Sequence, residues 1–427
     1  MPSIAWSMQD YIYKDTQRLH TPGHKGKLPH PLSEAAKYDL TELENTGSLF
    51  AGGPPFDEVE NLFAGYYGDG ATLLSAGGST LAVQAMIATF CEPGRPLIMM
   101  RGCHSSAIST CALLGLNPYW VAPLPGEEVD AFRDAIAQHP EAAAVYITSP
   151  DYFGYIAPVA ELAELCEAAG IPLLVDAAQG AHLGFFGRHP VALGATAAAT
   201  SAHKTLPALT GAALLHLKDA TLANIARSRM ALFGSTSPSY LILLSLDILS
   251  GHLFEVAMDY KVLAEHLEKL RHRLEAKDVL ADISPMDPIR LTLDFSGTYL
   301  RGDDIGALMK QVGVTPELIW DTRCVLLPAP NTDFLPVEVL INALPRAHSP
   351  RALPERLHLP VPAAPLRTAL FGSAVAVPTR EAAGRVCACI RTVCPPGVPV
   401  VLPGEIIDEK VINLLLRSGF DTISVLK

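Results

Sequence analysis

The sequence predicts an α/β protein, with a mostly parallel sheet covered by helices on both faces and a smaller α+β C-terminal part. Three observations carry this. Between about residue 60 and residue 220, short β runs alternate with helical segments, the pattern of strand–helix–strand units. The β runs are apolar without strict alternation, as strands buried on both faces are. Apolar residues make up 49% of the 427-residue chain and charged residues 18%, enough for a large core and too apolar for disorder.

The elements follow in order. "ATLLSA" (71–76) precedes a helix from Ser79 to about Cys91. "PLIMM" (96–100) leads into "SSAISTCALLG", and "AAVYIT" (143–148) into the helix "VAELAELCEAAG". "IPLLVDAA" (171–178), "ATAAAT" (195–200) and "GAALLHL" (211–217) complete the strand series. Residues 221–276 read as long helices. A second αβ segment runs from "DPIRLTLDFSG" (287–297) to about Thr332. The Pro-rich stretch "LPRAHSPRALPERLHLPVPAAP" (344–365) reads as a linker or an extended excursion. A helix is expected near 379–392, followed by "CPPGVPVVLPGE" (394–405), a last helix and a last strand. The length suggests roughly two to three domains. We draw them as an N-terminal segment over 1–60, a large domain over 61–285 and a small C-terminal domain or domains over 286–427.

The net charge of -12 argues against a nucleic-acid partner, because no basic stripe exists to neutralise phosphates. "MPSIAWSMQDYIYKD" lacks a basic region followed by a long apolar one, so no secretory signal is expected. No uncharged apolar stretch is long enough for a membrane span, and "YLILLSLDIL", broken by Asp247, reads as core helix. The eight cysteines are scattered. Cys387 and Cys389 form a C-x-C on the expected helix without a second ligand pair, so buried thiols in a reducing cytoplasm are expected and no metal site is.

In parallel sheets, ligands gather beyond the carboxyl ends of the strands, and four candidates lie there. "GGST" (77–80) opens a helix. Its small residues admit a ligand to free backbone N–H groups, and Ser79 and Thr80 add hydroxyls, though a plain helix cap has the same appearance. His104 follows "PLIMM", and taken singly a strand-end histidine is more often structural. Asp176 ends an apolar strand, where a carboxylate is costly unless partnered. Lys204 sits in "TSAHKTLPALTGAALL". It is either a Schiff-base former with a depressed pKa or a lysine whose ammonium reaches water.

Together the four are what a pyridoxal phosphate site requires: a phosphate cradle, a flat ring to stack on the pyridine, a carboxylate for its nitrogen and a lysine for its aldehyde. The motifs are similar to those of the ornithine/lysine/arginine decarboxylase family, short form. The family's enzymes use pyridoxal phosphate on the aspartate-aminotransferase fold. The carrying residues are "TPGHKG" (21–26), "DLTEL" (39–43), "GGST" (77–80), "RGCHSS" (101–106) and "VDAAQGAHLGF" (175–185). They continue with "SAHKTLPALTGAALLH" (201–216), "STSPSYLILLSLD" (235–247), "VPTREAAGRV" (377–386) and "PPGVPVVLPGE" (395–405).

The resemblance implies a fold type I large domain with a mostly parallel seven-stranded sheet, and a smaller α+β C-terminal domain. It makes Lys204 the lysine that binds the cofactor covalently and Asp176 the partner of the ring nitrogen. His104 stacks on one ring face and Ala178 lies against the other. Gly78, Ser79, Thr80, Ser201 and His203 hold the phosphate, and His203 or Lys204 assists reprotonation. Thr236 reaches the phosphate of a neighbouring subunit, so a homodimer or larger assembly with shared sites is implied. Glu317, in "TPELIWD", matches an acidic position near the distal end of the substrate.

The implied reaction is decarboxylation of an amino acid, most simply arginine, lysine or ornithine, to an amine and CO2. Some substrate-side positions depart from the family pattern: Gly47-Ser48, Gly102, Ser105, Ala177, Gln179 and Cys394. They leave open another Cα reaction, such as transamination or elimination on a non-basic substrate, and a non-catalytic member.

Overall fold

The computed structural model describes residues 3–14, 17–350, 356–393 and 398–427. Its centre is a seven-stranded sheet of β1 (Ala71–Ser75), β2 (Pro96–Met100), β3 (Asn117–Val121), β4 (Ala144–Thr148), β5 (Leu173–Asp176), β6 (Ala197–Thr200) and β7 (Ala213–Leu217). The spatial order is β1-β7-β6-β5-β4-β2-β3. β7 runs antiparallel to both its neighbours, and the other pairings are parallel. Two successive reversals leave β1 parallel to β6, so β1, β2, β4, β5 and β6 all end on one edge.

The absence of strict alternation in the strands has the expected cause. Leu97, Met99, Ala144, Tyr146, Leu174, Ala197 and Ala199 pack on one face, with the helices Gly78–Phe90 and Ser105–Leu114. Ile98, Val145, Ile147, Leu173, Val175 and Ala198 pack on the other, with Phe132, Ala135, Leu162 and Ala163 of the helices Glu128–Gln138 and Val159–Ala168. Each side chain alternates in direction, but both directions are core. β6 is "AAAT", a poor strand former by propensity. Its place between β5 and β7 makes it a strand, and its small side chains let the helix Gly78–Phe90 lie close to the sheet.

The strand runs read from the sequence omit β3, "NPYWV". It is an edge strand with half-exposed residues and a proline, which an edge tolerates because one side of its ladder is unpaired. Its signal is the aromatic pair Tyr119-Trp120.

The long helices expected over 221–276 are Ala223–Phe233, Tyr240–Ser250 and Leu253–Glu275. The second of these is core helix, with Leu243, Leu246, Leu249 and Asp247 buried. Asp247 accepts a hydrogen bond from the Ala5 amide at 2.5 Å and so latches the helix Ser3–Tyr13 in place. No single helix among the described residues is long and apolar enough to cross a membrane.

A second, antiparallel sheet follows, of β8 (Leu291–Asp294), β9 (Leu318–Trp320) and β10 (Arg323–Leu326), ordered β8-β10-β9. Its inner residues join the core that also buries Leu263, Leu267 and Leu270 of Leu253–Glu275. Two two-stranded sheets finish the chain. β11 (Ala374–Pro378) pairs with β14 (Thr422–Leu426), and β12 (Arg391–Val393) with β13 (Val398–Val401). The helix Glu409–Arg417, capped by Asp408 through the Val411 amide at 2.9 Å, packs into their separate core.

The helix expected near 379–392 is absent. A single 3-10 turn, Thr379–Glu381, is followed by Gly384 at φ +72° and by isolated bridges from Val386 to Ile406 and from Cys387 to Val425. The left-handed glycine ends helical winding, and the following residues find their backbone partners in extended segments. Cys387 and Cys389 therefore lie on irregular chain rather than on a helix. Cys394 and residues 351–355 of the Pro-rich stretch lie outside the described residues.

Candidate active site

Four of the strand ends on this edge, those of β1, β2, β5 and β6, carry the predicted residues. A cleft there is lined by Ser79 after β1, His104 after β2, Asp176 at the end of β5, Ala178 just beyond it and Lys204 after β6. The structure thus brings together five positions spread over more than a hundred residues of sequence.

Asp176 is 2% exposed. Its Oδ2 accepts from the Tyr146 hydroxyl and its Oδ1 from the Ala178 amide, each at 3.1 Å. Two of about four lone-pair sites on a carboxylate are thereby used, leaving about two for further donors. Burial and the charge of Asp176 hold the Tyr146 phenol well above its ordinary pKa, so Tyr146 stays a donor. Sequence reading missed Tyr146. Its signal is a polar tip at alternate position to Thr148 within the otherwise apolar β4.

His104 caps the helix Ser105–Leu114. Its Nδ1 accepts from the Ser106 amide at 3.2 Å and lies 2.9 Å from Ser106 Oγ, which leaves the proton of the neutral ring on Nε2. Burial lowers its pKa. The Asp176 carboxylate opposes this and the Lys204 charge reinforces it. His104 is therefore a neutral, fixed flat ring at the cleft wall.

Lys204 is an exposed residue of the short helix Ala202–Thr205, open to the cleft. Its apolar neighbours in sequence turn away: Ala202 and Leu206 are buried in the core. His203 is half-buried, and its Nδ1 donates to the Ala212 carbonyl at 2.9 Å, leaving Nε2 free.

The donor set fits pyridoxal phosphate. The Ser201 hydroxyl is fully buried with no hydrogen-bond partner among the described residues, which is costly unless an acceptor arrives. Gly78 has φ +69° and open space where a Cβ would stand. Ser79 is half-buried in the same cradle, and Thr80 is exposed one position further along the helix. Thr236 lies on the exposed loop between Ala223–Phe233 and Tyr240–Ser250 and lines no part of the Lys204 cleft. Glu317 lies just behind the cleft wall. Its Oε1 accepts from the hydroxyl of Tyr152, a cleft residue that sequence reading missed, at 2.5 Å.

The departures from the family pattern separate by position. Ala177 is buried in the core cluster on the far side of the sheet, so it is a packing substitution. Gly47 has φ +70°, a Cβ there would stand 2.9 Å from the Pro54 carbonyl, and its own carbonyl accepts from Tyr240. Its change is a backbone matter. Ser105 is the half-buried first residue of a helix. Gly102 and Gln179 do line the cleft. Gln179 Oε1 accepts from Arg290 Nη2 at 3.1 Å, and Arg290 also donates to the carbonyls of Asp151 and Tyr152.

A family model for the major domain of Orn/Lys/Arg decarboxylases matches residues 4–294, and one for their C-terminal domain matches residues 353–418. An arginine decarboxylase of Bacillus subtilis is 27% identical over 96% of this chain and 92% of its own length. An arginine decarboxylase of Halalkalibacterium halodurans is 28% identical over 92% of this chain and 88% of its own. The crystal structure of a Francisella novicida lysine decarboxylase shares the fold over 100% of this chain and 81% of that one, with a TM-score of 0.82 and 16% identity. The major-domain match covers well over half of the sequence, and the chain belongs to the Orn/Lys/Arg decarboxylase family of amino-acid decarboxylases.

Proposed function

We propose that this protein decarboxylates a basic amino acid, with pyridoxal phosphate bound between His104 and Ala178. The observation that carries the cofactor reading is the convergence of Asp176, His104 and Lys204 on one cleft, three residues from a buried hydroxyl, Ser201, that has no partner among the described residues. Support for the basic substrate comes from the family and from the arginine decarboxylases that the chain resembles. Pyridoxal phosphate supplies, when bound, an electron sink for the pair left behind as CO2 departs.

The chain's own groups do the rest. Lys204 offers its Nζ to the cofactor aldehyde. Ser79, Thr80, Ser201 and the amides at the start of Gly78–Phe90 hold the phosphate. Asp176, fixed by Tyr146 and Ala178, keeps the proton on the ring nitrogen. Once CO2 has left, a proton must reach Cα, and Lys204 Nζ or His203 Nε2 delivers it. Thr236 serves the phosphate of a neighbouring subunit in a homodimer, a reading that its exposed loop supports.

The test is product analysis on the purified protein with added cofactor, over arginine, lysine and ornithine. Stoichiometric amine and CO2 are expected. A keto acid or ammonia, or no cofactor retained after reconstitution, would overturn the proposal.

A further inference from the structure

Gln179 lines the cleft and is 6% exposed. Its Oε1 accepts from Arg290 Nη2 at 3.1 Å. A guanidinium carries only donors, so the amide can meet it in one orientation, oxygen first. The amide Nε2 makes no hydrogen bond with any described residue, so its donors are left for whatever enters the cleft. Thr148 Oγ1, at the end of β4 on the same cleft, likewise has no partner among the described residues.

Arg290 holds that orientation firmly. It is 1% exposed and immediately precedes β8. Its Nη1 donates to the carbonyls of Asp151 and Tyr152 at 3.2 and 2.7 Å, and its Nε lies 3.7 Å from Oδ2 of the buried Asp287. Arg290 does not itself line the cleft. What it presents there is the amide of Gln179.

A neutral donor at this place suits a decarboxylation. The substrate carboxylate loses its charge as CO2 departs, so a cation bound to it would stabilise the starting state more than the transition state. An amide fixes the direction of the carboxylate with less of that penalty. Gln179 departs from the family pattern, so the contact is a property of this chain.

We infer that Gln179 is a substrate-binding residue whose Nε2 donates to the carboxylate of the amino acid, and that Arg290 is the positioning residue that turns the amide toward it. The inference rests on the decarboxylase reading given above and names the group that holds the departing carboxylate.

The experiment compares wild type, Gln179→Ala, Gln179→Glu and Arg290→Lys, each loaded with pyridoxal phosphate. Arginine, lysine and ornithine are each paired with the amine that lacks only the carboxylate: agmatine, cadaverine and putrescine. Rapid-mixing titration of the cofactor absorbance gives Kd for both members of each pair, and CO2 release gives kcat and KM. Gln179→Ala is expected to raise Kd for the amino acid about tenfold, the loss for one hydrogen bond to a charged group, and to leave Kd for the amine within about twofold. Gln179→Glu should bind the amino acid more weakly still, because its carboxylate pairs with Arg290 and offers no donor. Arg290→Lys should shift the amino acid in the same direction by less, since an ammonium lacks the fork that reaches Gln179 and two carbonyls at once. Retention of the cofactor band in each variant reports an intact site.

Equal weakening of amino acid and amine in Gln179→Ala would make the residue structural and overturn the inference. Wild-type affinity for the amino acid in Gln179→Ala or Gln179→Glu would do the same, and unchanged affinities in Arg290→Lys would overturn its positioning role. These outcomes leave the decarboxylase reading standing, since wild type would still release CO2. A wild type that releases no CO2 from any of the three amino acids would overturn that reading and this inference together.

Discussion

Arg101 and Glu405, 304 residues apart in sequence, form a buried two-pronged ion pair, Nη1 to Oε1 at 2.6 Å and Nη2 to Oε2 at 2.8 Å. Arg101 follows β2 and precedes His104 by three residues, and Glu405 closes "PPGVPVVLPGE". The pair therefore pins the C-terminal part to the strand end that presents the aromatic wall of the cleft. Val398, from the same C-terminal part, lines that cleft. Both charges are under 5% exposed, so removing one leaves the other buried and unpaired. Glu405→Ala should cost about 3–5 kcal/mol in stability, read by urea unfolding. The double change Arg101→Met with Glu405→Leu should recover most of it.

Asp176 owes its position to Tyr146. Asp176→Ala should lower kcat/KM about a hundredfold or more, the usual loss when a preorganised charge partner is removed. Tyr146→Phe deletes one hydrogen bond to that carboxylate and should cost about tenfold, since a bond of this kind contributes ~1.5 kcal/mol. Steady-state kinetics check both. Equal effects of the two changes would place the burden on the bond rather than on the charge.

Gly78 occupies a left-handed conformation at the start of the helix Gly78–Phe90, where we propose that the cofactor phosphate binds. Gly78→Ala introduces a Cβ into open space and a strain of about 1–2 kcal/mol. Weaker binding of pyridoxal phosphate is expected, with secondary structure unchanged, as measured by fluorescence titration of the apoprotein.

A buried network beneath the sheet should make the protein acid-labile. Asp69 joins His189 Nε2 at 2.9 Å and His216 Nδ1 at 2.6 Å. Burial raises the Asp69 pKa, but His216 and His189 outweigh it and hold the carboxyl well below its usual range. Burial, with the charge of His216, lowers His189. Below about pH 6.5 the unfolded chain protonates His189 while the folded chain resists, and below about pH 4 the same holds for Asp69. The unfolded state binds more protons in both windows, so stability falls as pH falls. His189→Gln should flatten the slope between pH 7 and pH 5 in urea titrations.

Asp247 has the opposite sign. Burial, only partly offset by the Ala5 and Ile4 amides, pushes its pKa up to about 6. Between about pH 4 and pH 6 the folded state binds the extra proton, so this contribution weakens as pH rises. Asp247→Asn should match wild type near pH 4 and exceed it at pH 8, with tighter docking of Ser3–Tyr13 seen by hydrogen exchange.

Much of this was legible in the sequence. The double-covered sheet showed in strands without strict alternation. The cleft showed in which residues stand just past them: Ser79, His104, Asp176 and Lys204. The edge strand β3 and the missing helix near 379–392 were misread for local reasons. Pro118 obscured the strand, and the Ala-rich "EAAGRVCACI" concealed the break at Gly384.

By itself the sequence determined the family and the layer architecture and singled out candidate site residues, because periodicity and residue type are local properties. Tertiary structure alone decided how they meet. The reversal at β7 turns β1 parallel, so "GGST" faces the same edge as His104. Tyr146 finds Asp176 across a strand pair, and Arg290 fills the space before Gln179. Such pairings are set by long-range packing of the sheet and helices, and no local pattern encodes which distant side chain will complete them.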